Sequence, residues 1–171
     1  MAPYVEPSLR QDPIDLAHEN WVAAGWTDAA DGMALVTSIM RVQQLLLARI
    51  EGLLRPHGLT FARFELLRLL AFTRLGVLPV GKIGERLQVH PASVTNAVQR
   101  LEQAGLVERR ANPDDGRSVL AEITPAGREL VENCTALLNT VVFADVGVDA
   151  TTGADARAAL DAMRRTLGDP A

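Results

Sequence analysis

Between Val80 and Ile123 the spacing of apolar residues changes from helical to strand-like near Gly105, and few folds accommodate that change. Residues 80–87 carry Ile83 and Leu87 and read as a short helix. A tight turn through Gln88, Val89 and His90 leads to Pro91. Proline suits a first helical position, where its missing N–H removes no bond. The spacing predicts a helix over 91–104 with Val94, Val98 and Leu101 inward, stopped by Gly105. Leu106–Arg110 and Ser118–Ile123 are β-prone runs that flank Ala-Asn-Pro-Asp-Asp-Gly-Arg, the signature of a hairpin.

A helix, a tight turn, a second helix and a hairpin together describe a winged helix-turn-helix. The flanking sequence is helical. Residues 14–25, with Ile14, Leu16, Ala17, Trp21, Val22 and Ala24, form a short amphipathic helix closed by Gly25. Asp28 and Asp31 are candidate caps for the next element. Leu35, Ile39, Val42, Leu46, Ile50 and Leu53 follow in steps of four and three, which predicts a long helix over 33–55 ended by Pro56. Thr60 caps a helix with Phe64, Leu67, Leu70 and Ala71 inside. Thr124 and Pro125 open another that runs to about Ala144 through Val131, Cys134 and Leu138. Thr151 or Thr152 caps a last one with Ala156, Leu160, Met163 and Leu167 inward. The expected fold is mainly α with a small β-wing.

Charge is unevenly distributed. The net value of −4 argues against a simple polyanion binder, yet residues 32–128 carry thirteen basic and eight acidic groups, a balance of +5. Residues 1–31 hold −5 and residues 129–171 hold −4. The middle of the chain is therefore basic between acidic ends. The single cysteine, Cys134, excludes an internal disulfide framework and a cysteine-based zinc site. His18, His57 and His90 lack ligand spacing, so neither a metal nor a cofactor is expected. No P-loop, GxGxxG or Ser/His/Asp arrangement points to an enzyme. No apolar run reaches the ~18 residues of a membrane span, and the N-terminus lacks a signal layout. A soluble, cytoplasmic protein with no membrane partner is expected.

The second helix of the turn carries legible chemistry. Ser93, Thr95, Asn96 and Gln99 are short polar groups near its start, and Asn and Gln suit adenine in a major groove. The helix start at Pro91 directs free N–H groups and a positive dipole end towards phosphate. A merely solvated helix face would also be polar. At the hairpin tip Arg117 can enter a minor groove, with Asp115 holding its rotamer; a simple polar turn is the alternative. Lys82, Arg86, Arg100, Arg109 and Arg110 are candidate phosphate contacts.

From Gly58 to Val131 the chain resembles the MarR family of transcriptional regulators. The resemblance rests on GLTFARFELLRLL, VGKIGERLQVHPASVTNAVQRLEQAGLVERR and NPDDGRSVLAEITPAGRELV in the family's order, with Asp115-Gly116-Arg117 matching its wing motif. It implies an interleaved helical homodimer on a pseudo-palindromic double-stranded DNA operator. The implied organisation is an extension with a short helix (1–30), a first dimerisation helix (31–56), a winged DNA-binding lobe (60–124) and C-terminal dimerisation helices (125–168). A small lobe could not bury so many apolar helices unaided, which fits that implication. The resemblance further implies repression relieved by a small aromatic or phenolic effector.

The extra helix bearing Trp21 is similar to that of the urate-responsive subgroup, and Glu65 could match its acidic residue. Ala97 replaces that subgroup's arginine. Trp21, Arg41, Phe64 and Glu65 are the candidate effector-pocket residues, with Trp21 as a packing anchor the plainer reading. Two alternatives to the ligand-responsive regulator stand beside it. One is a winged-helix protein-interaction module without DNA binding; the other is a redox-sensing repressor using Cys134, whose place on an apolar stripe favours a buried structural role.

Overall fold

The computed structural model describes residues 11–113, 115–116 and 118–169. Its elements are α1 (Pro13–Ala23), α2 (Thr27–Leu54) with a 3-10 turn (Arg55–His57), α3 (Phe61–Phe72), β1 (Val77–Pro79), α4 (Val80–Leu87), α5 (Pro91–Gln103), β2 (Val107–Ala111), β3 (Val119–Ile123), α6 (Pro125–Leu138) with a π turn (Asn139–Phe143), and α7 (Ala150–Thr166). The chain divides into two compact units, residues 1–49 and 50–171.

In the first unit Asp12 caps α1, its Oδ1 accepting from the Ile14 N–H at 2.7 Å, and Pro13 starts the helix. Gly25 turns the chain at φ +86°. The next helix begins at Thr27, earlier than the expected 33, so Asp28 and Asp31 lie inside it and cap nothing. The cap rule failed because the apolar stripe starts after a helical polar turn. Asp31 instead meets His18 Nε2 at 2.8 Å, while Trp21 and Trp26 pack edge to face with centroids 5.4 Å apart.

Along α2, Leu35, Val36, Met40, Val42 and Leu45 are each more than half exposed. By length and composition alone the helical stretch Thr27–His57 is apolar enough to cross a membrane, although it holds no continuous apolar run of that length. An averaged window tolerates the charges that interrupt such a run. Arg41, however, stands near the middle of the helix, where a bilayer would charge about 2.5–3.5 kcal/mol for it on insertion scales. An apolar face interrupted by arginine is better suited to another protein helix.

The second unit is organised around α3, which packs against α4, α5 and α6. Leu54, Leu67, Leu70, Ile83, Val94, Val98, Leu101, Val131, Cys134 and Leu138 fill its core. Thr60 caps α3 by accepting from the Arg63 N–H at 3.4 Å. Arg68 ties α3 to α6: its Nη1 lies 2.9 Å from Glu132 and its guanidinium stacks 4.2 Å from the Phe72 ring centroid. That hydrogen bond holds the Glu132 carboxyl below its ordinary range.

The strands form one antiparallel sheet in the order β1-β3-β2. Val107 pairs with Ile123 and Ala111 with Val119, so the hairpin runs in simple register. Strand β1, absent from the sequence expectation, pairs Val77 with Glu122 and Pro79 with Leu120. Three residues are too few to display a period. At the far end the last helix is capped by Asp149, not Thr151 or Thr152, with Oδ1 accepting from both threonine N–H groups at 2.9 and 3.0 Å. Its stripe also departs from expectation. Ala156, Leu160 and Leu167 are exposed and Met163 is half-buried.

Candidate nucleic-acid interface

The orientation of α5 is set by what it buries. Val94, Val98 and Leu101 enter the core with Ile83 of α4, so the opposite face must look outward. Close approach of the two helices depends on Gly84, where a Cβ would lie 3.3 Å from both the Val89 carbonyl oxygen and Val94 Cγ2. The turn between them passes through Gln88 in the left-handed region (φ +54°). Such a conformation is uncommon for a non-glycine residue. His90 then caps α5, its Nδ1 accepting from the Ala92 N–H at 3.2 Å, and Pro91 takes the first helical position as the sequence suggested.

Ser93, Thr95, Asn96, Gln99 and Arg100 are all exposed, and they sort into stripes around α5. Thr95, Asn96, Gln99 and Arg100 line one outward groove. Ser93, Asn96 and Arg100, spaced i, i+3 and i+7, also face Thr60 and Arg63 across a second groove. Pro91 and Thr95 border a third cavity, of about 790 Å³, towards Arg109 and the base of the hairpin. The Thr95 hydroxyl donates to the Pro91 carbonyl at 3.0 Å, leaving its oxygen to accept from a base.

The hairpin loop is closed by Asn112 and Ser118, whose N–H and carbonyl meet at 3.2 Å and whose side chains meet at 2.7 Å. Asp115 is exposed within it. Asp114 and Arg117 lie outside the described residues, so the expected contact between Asp115 and Arg117 lies outside them too.

Three of the candidate phosphate contacts already hold carboxylates. Arg109 Nε is 2.7 Å from Glu102, Arg110 Nε is 2.8 Å from Glu122, and Lys82 Nζ is 2.7 Å from Glu85. Exposed pairs of this kind are worth at most about 1 kcal/mol, little enough for a phosphate to displace the carboxylate. Arg86 and Arg100 are exposed and have no carboxylate partner among the described residues.

The effector-pocket candidates are dispersed between the two units. Trp21 is half-buried against Trp26, and Arg41 is exposed on α2. Phe64 is buried in the core and stacks on Phe61 with centroids 6.2 Å apart. Its neighbour Glu65 is half-buried, and burial pushes its carboxyl pKa up. Cys134 is wholly buried and desolvation raises its thiol, so the reactive thiolate is disfavoured.

The position of Arg63 beside α5 and the role of Gly84 were not legible in the sequence. The glycine did leave a signal: an isolated Gly inside a helical pattern marks close packing when it is not a stop.

Comparison with known proteins places these features in context. The model of the MarR family matches residues 59–119. An HTH-type transcriptional repressor of Mycobacterium tuberculosis is 31% identical over 109 residues, which span 64% of this chain and 77% of that protein. The crystal structure of a MarR family transcriptional regulator from Streptomyces coelicolor is similar with a TM-score of 0.74 and 49% identity, over 81% of this chain and 96% of the other. A mutant MarR from E. coli complexed with operator DNA shares the fold, with a TM-score of 0.71 and 24% identity over 79% and 96% of the two chains.

Proposed function

Since this chain belongs to the MarR family of transcriptional regulators, we propose that it is a repressor that binds a pseudo-palindromic operator as a homodimer and lets go when a small aromatic or phenolic effector binds. The observation that carries the reading is the exposed polar row on α5, Ser93, Thr95, Asn96, Gln99 and Arg100, on a helix whose other face is fixed in the core. Short side chains on a locked helix can meet base edges at defined positions, while Arg109, Arg110 and Lys82 supply charge for the backbone. The repressor from M. tuberculosis supports repression over activation.

Dimerisation is supported by the exposed apolar residues of α2 and α7, including Leu35, Met40, Leu45 and Leu160. Two lobes related by a two-fold axis would then read half-sites about one helical turn apart, roughly 34–36 Å. The organisation follows: residues 31–56 and 125–168 serve the dimer, and residues 60–124 serve DNA. Such a protein works in solution in the cytoplasm. Trp21, Arg41, Phe64 and Glu65 remain the residues proposed for the effector, although buried Phe64 would act through the shape of the core. Arg117 is proposed to enter the minor groove, steadied by Asp115.

The test is selection of binding sites from a random pool of duplexes, followed by titration at several salt concentrations. A selected, inverted-repeat sequence whose affinity falls steeply with salt is expected. Absence of any DNA binding would favour the protein-interaction module instead. Effectors are sought by thermal shift with aromatic acids, phenols and purines, since a ligand of the folded state raises the melting temperature.

A further inference from the structure

The cations around α5 fall into two kinds. Arg109, Arg110 and Lys82 each hold a carboxylate. Arg63 and Arg100 face one groove, of about 550 Å³, and neither has an acidic partner among the described residues. Among the described residues no acidic side chain lines that groove; its polar groups are Thr60, Ser93 and Asn96 beside the two arginines. Arg63 is also held in place. Its Nε donates to Thr60 Oγ1 at 3.2 Å, which leaves both terminal NH2 groups available. The contact sets a guanidinium in the first turn of α3, a turn that carries no acidic residue. A cation there adds to the positive end of the helix rather than balancing it. Two uncompensated arginines, one of them fixed by its own helix cap, form a site for an anion with oxygens to share.

We propose that Arg63, together with Arg100, binds a backbone phosphate of the operator on the α3 side of the recognition helix. The assignment rests on the reading of α5 as the DNA-reading helix, because Asn96 and Arg100 belong to both the reading face and this groove. With Arg109 and Arg110 on the hairpin side, α5 is then anchored to phosphate on both flanks. Arg63 is a positioning residue. It sets register and affinity, and base choice stays with Asn96 and its neighbours.

The experiment measures binding of the full chain to two duplexes across a salt series: a sequence selected by the wild type from a random pool, and an unrelated duplex of the same length. For R63A, affinity is expected to fall roughly tenfold to a hundredfold on both duplexes. The slope of log K against log salt should shrink by about 1.8, the share of two phosphates, one for each protomer of the dimer. R63K should retain the slope, since the charge remains. R10A, in the N-terminal extension assigned to neither the dimer nor DNA, serves as the control for bulk charge and should leave the slope unchanged. Circular dichroism melts identify any folding defect in R63A, in which case R63Q and R100A carry the measurement. A wild-type slope in R63A and R100A would overturn the phosphate assignment while leaving DNA binding intact. So would an equal loss of slope in R10A, or a loss in R63K as large as in R63A. A wild type that binds neither duplex would instead overturn the functional reading itself, and this assignment with it.

Discussion

The hydroxyl of Thr124 donates to the carbonyl oxygen of Gly105 at 2.8 Å, joining the end of the recognition helix to the start of α6. The Thr124 hydroxyl oxygen itself accepts from the Gly127 N–H at 3.0 Å as the helix cap, and the Thr124 N–H donates to the Leu106 carbonyl at 3.1 Å. Pro125 fills the first helical position. One threonine thus starts a helix and fixes the base of the hairpin, so a shift of α6 is felt at α5 through three hydrogen bonds.

Gly127→Ala tests that junction. A Cβ there would lie 2.2 Å from the Leu106 carbonyl oxygen, a backbone atom that cannot rotate away. The variant should lose roughly 1–3 kcal/mol of stability, the usual cost of overpacking, and bind DNA less tightly. A denaturation midpoint equal to that of the wild type would show that the junction yields freely.

Asn96→Ala should relax sequence preference with little effect on the salt slope. A bidentate contact from Asn to adenine is worth about 1–3 kcal/mol of discrimination. Sequencing of duplexes selected from a random pool by each protein measures it. An unchanged consensus would remove Asn96 from base readout.

Leu45→Asp should leave each chain folded and prevent its association, because Leu45 is about half exposed in the single chain (53%). Sedimentation velocity should show a monomer. Persistence of a dimer at micromolar concentration would move the interface away from this face of α2.

The Asp149 cap carries a pH signature. Hydrogen bonds from Thr152 hold its carboxyl below the ordinary range, so the folded state binds the proton less readily than the unfolded one. Its contribution is therefore present above the unfolded value near 3.9 and disappears as pH falls through the lower folded value. Wild type should lose helicity in that acid window, and Asp149→Asn should lose less there. Parallel acid titrations of the two by circular dichroism decide it.

Cys134 should react with a thiol reagent only after unfolding, given its complete burial and raised thiol pKa. Peroxide treatment should leave DNA binding unchanged. Rapid labelling of the native protein would restore a redox role.

Much of the lobe was legible in the sequence because its signals are local. Pro91, Gly105, Thr60 and the Thr124-Pro125 pair sit where the structure uses them. Non-local features were not legible. Strand β1 exists because Glu122 and Leu120 are there to pair with it, and Arg63 matters because α3 lies beside α5. The α7 stripe was read as facing inward within a dimerisation helix, and Ala156, Leu160 and Leu167 are exposed in the single chain: periodicity reports that a face seeks cover and is silent on what supplies it. For the effector residues the difficulty is greater, since Trp21 and Arg41 belong to one compact unit and Phe64 and Glu65 to the other.

The carboxylates of Glu102, Glu122 and Glu85, already seated on the cations flanking α5, have a kinetic consequence. On the proposed phosphate contacts, each would act as a resident competitor that an incoming phosphate must evict. Random DNA offers only phosphates in exchange, so its hold is weakened and its dwell time shortened. A matching operator also supplies base contacts, which compensate for the eviction. On that reading the acidic neighbours would quicken the search along a genome by making wrong sites easy to leave.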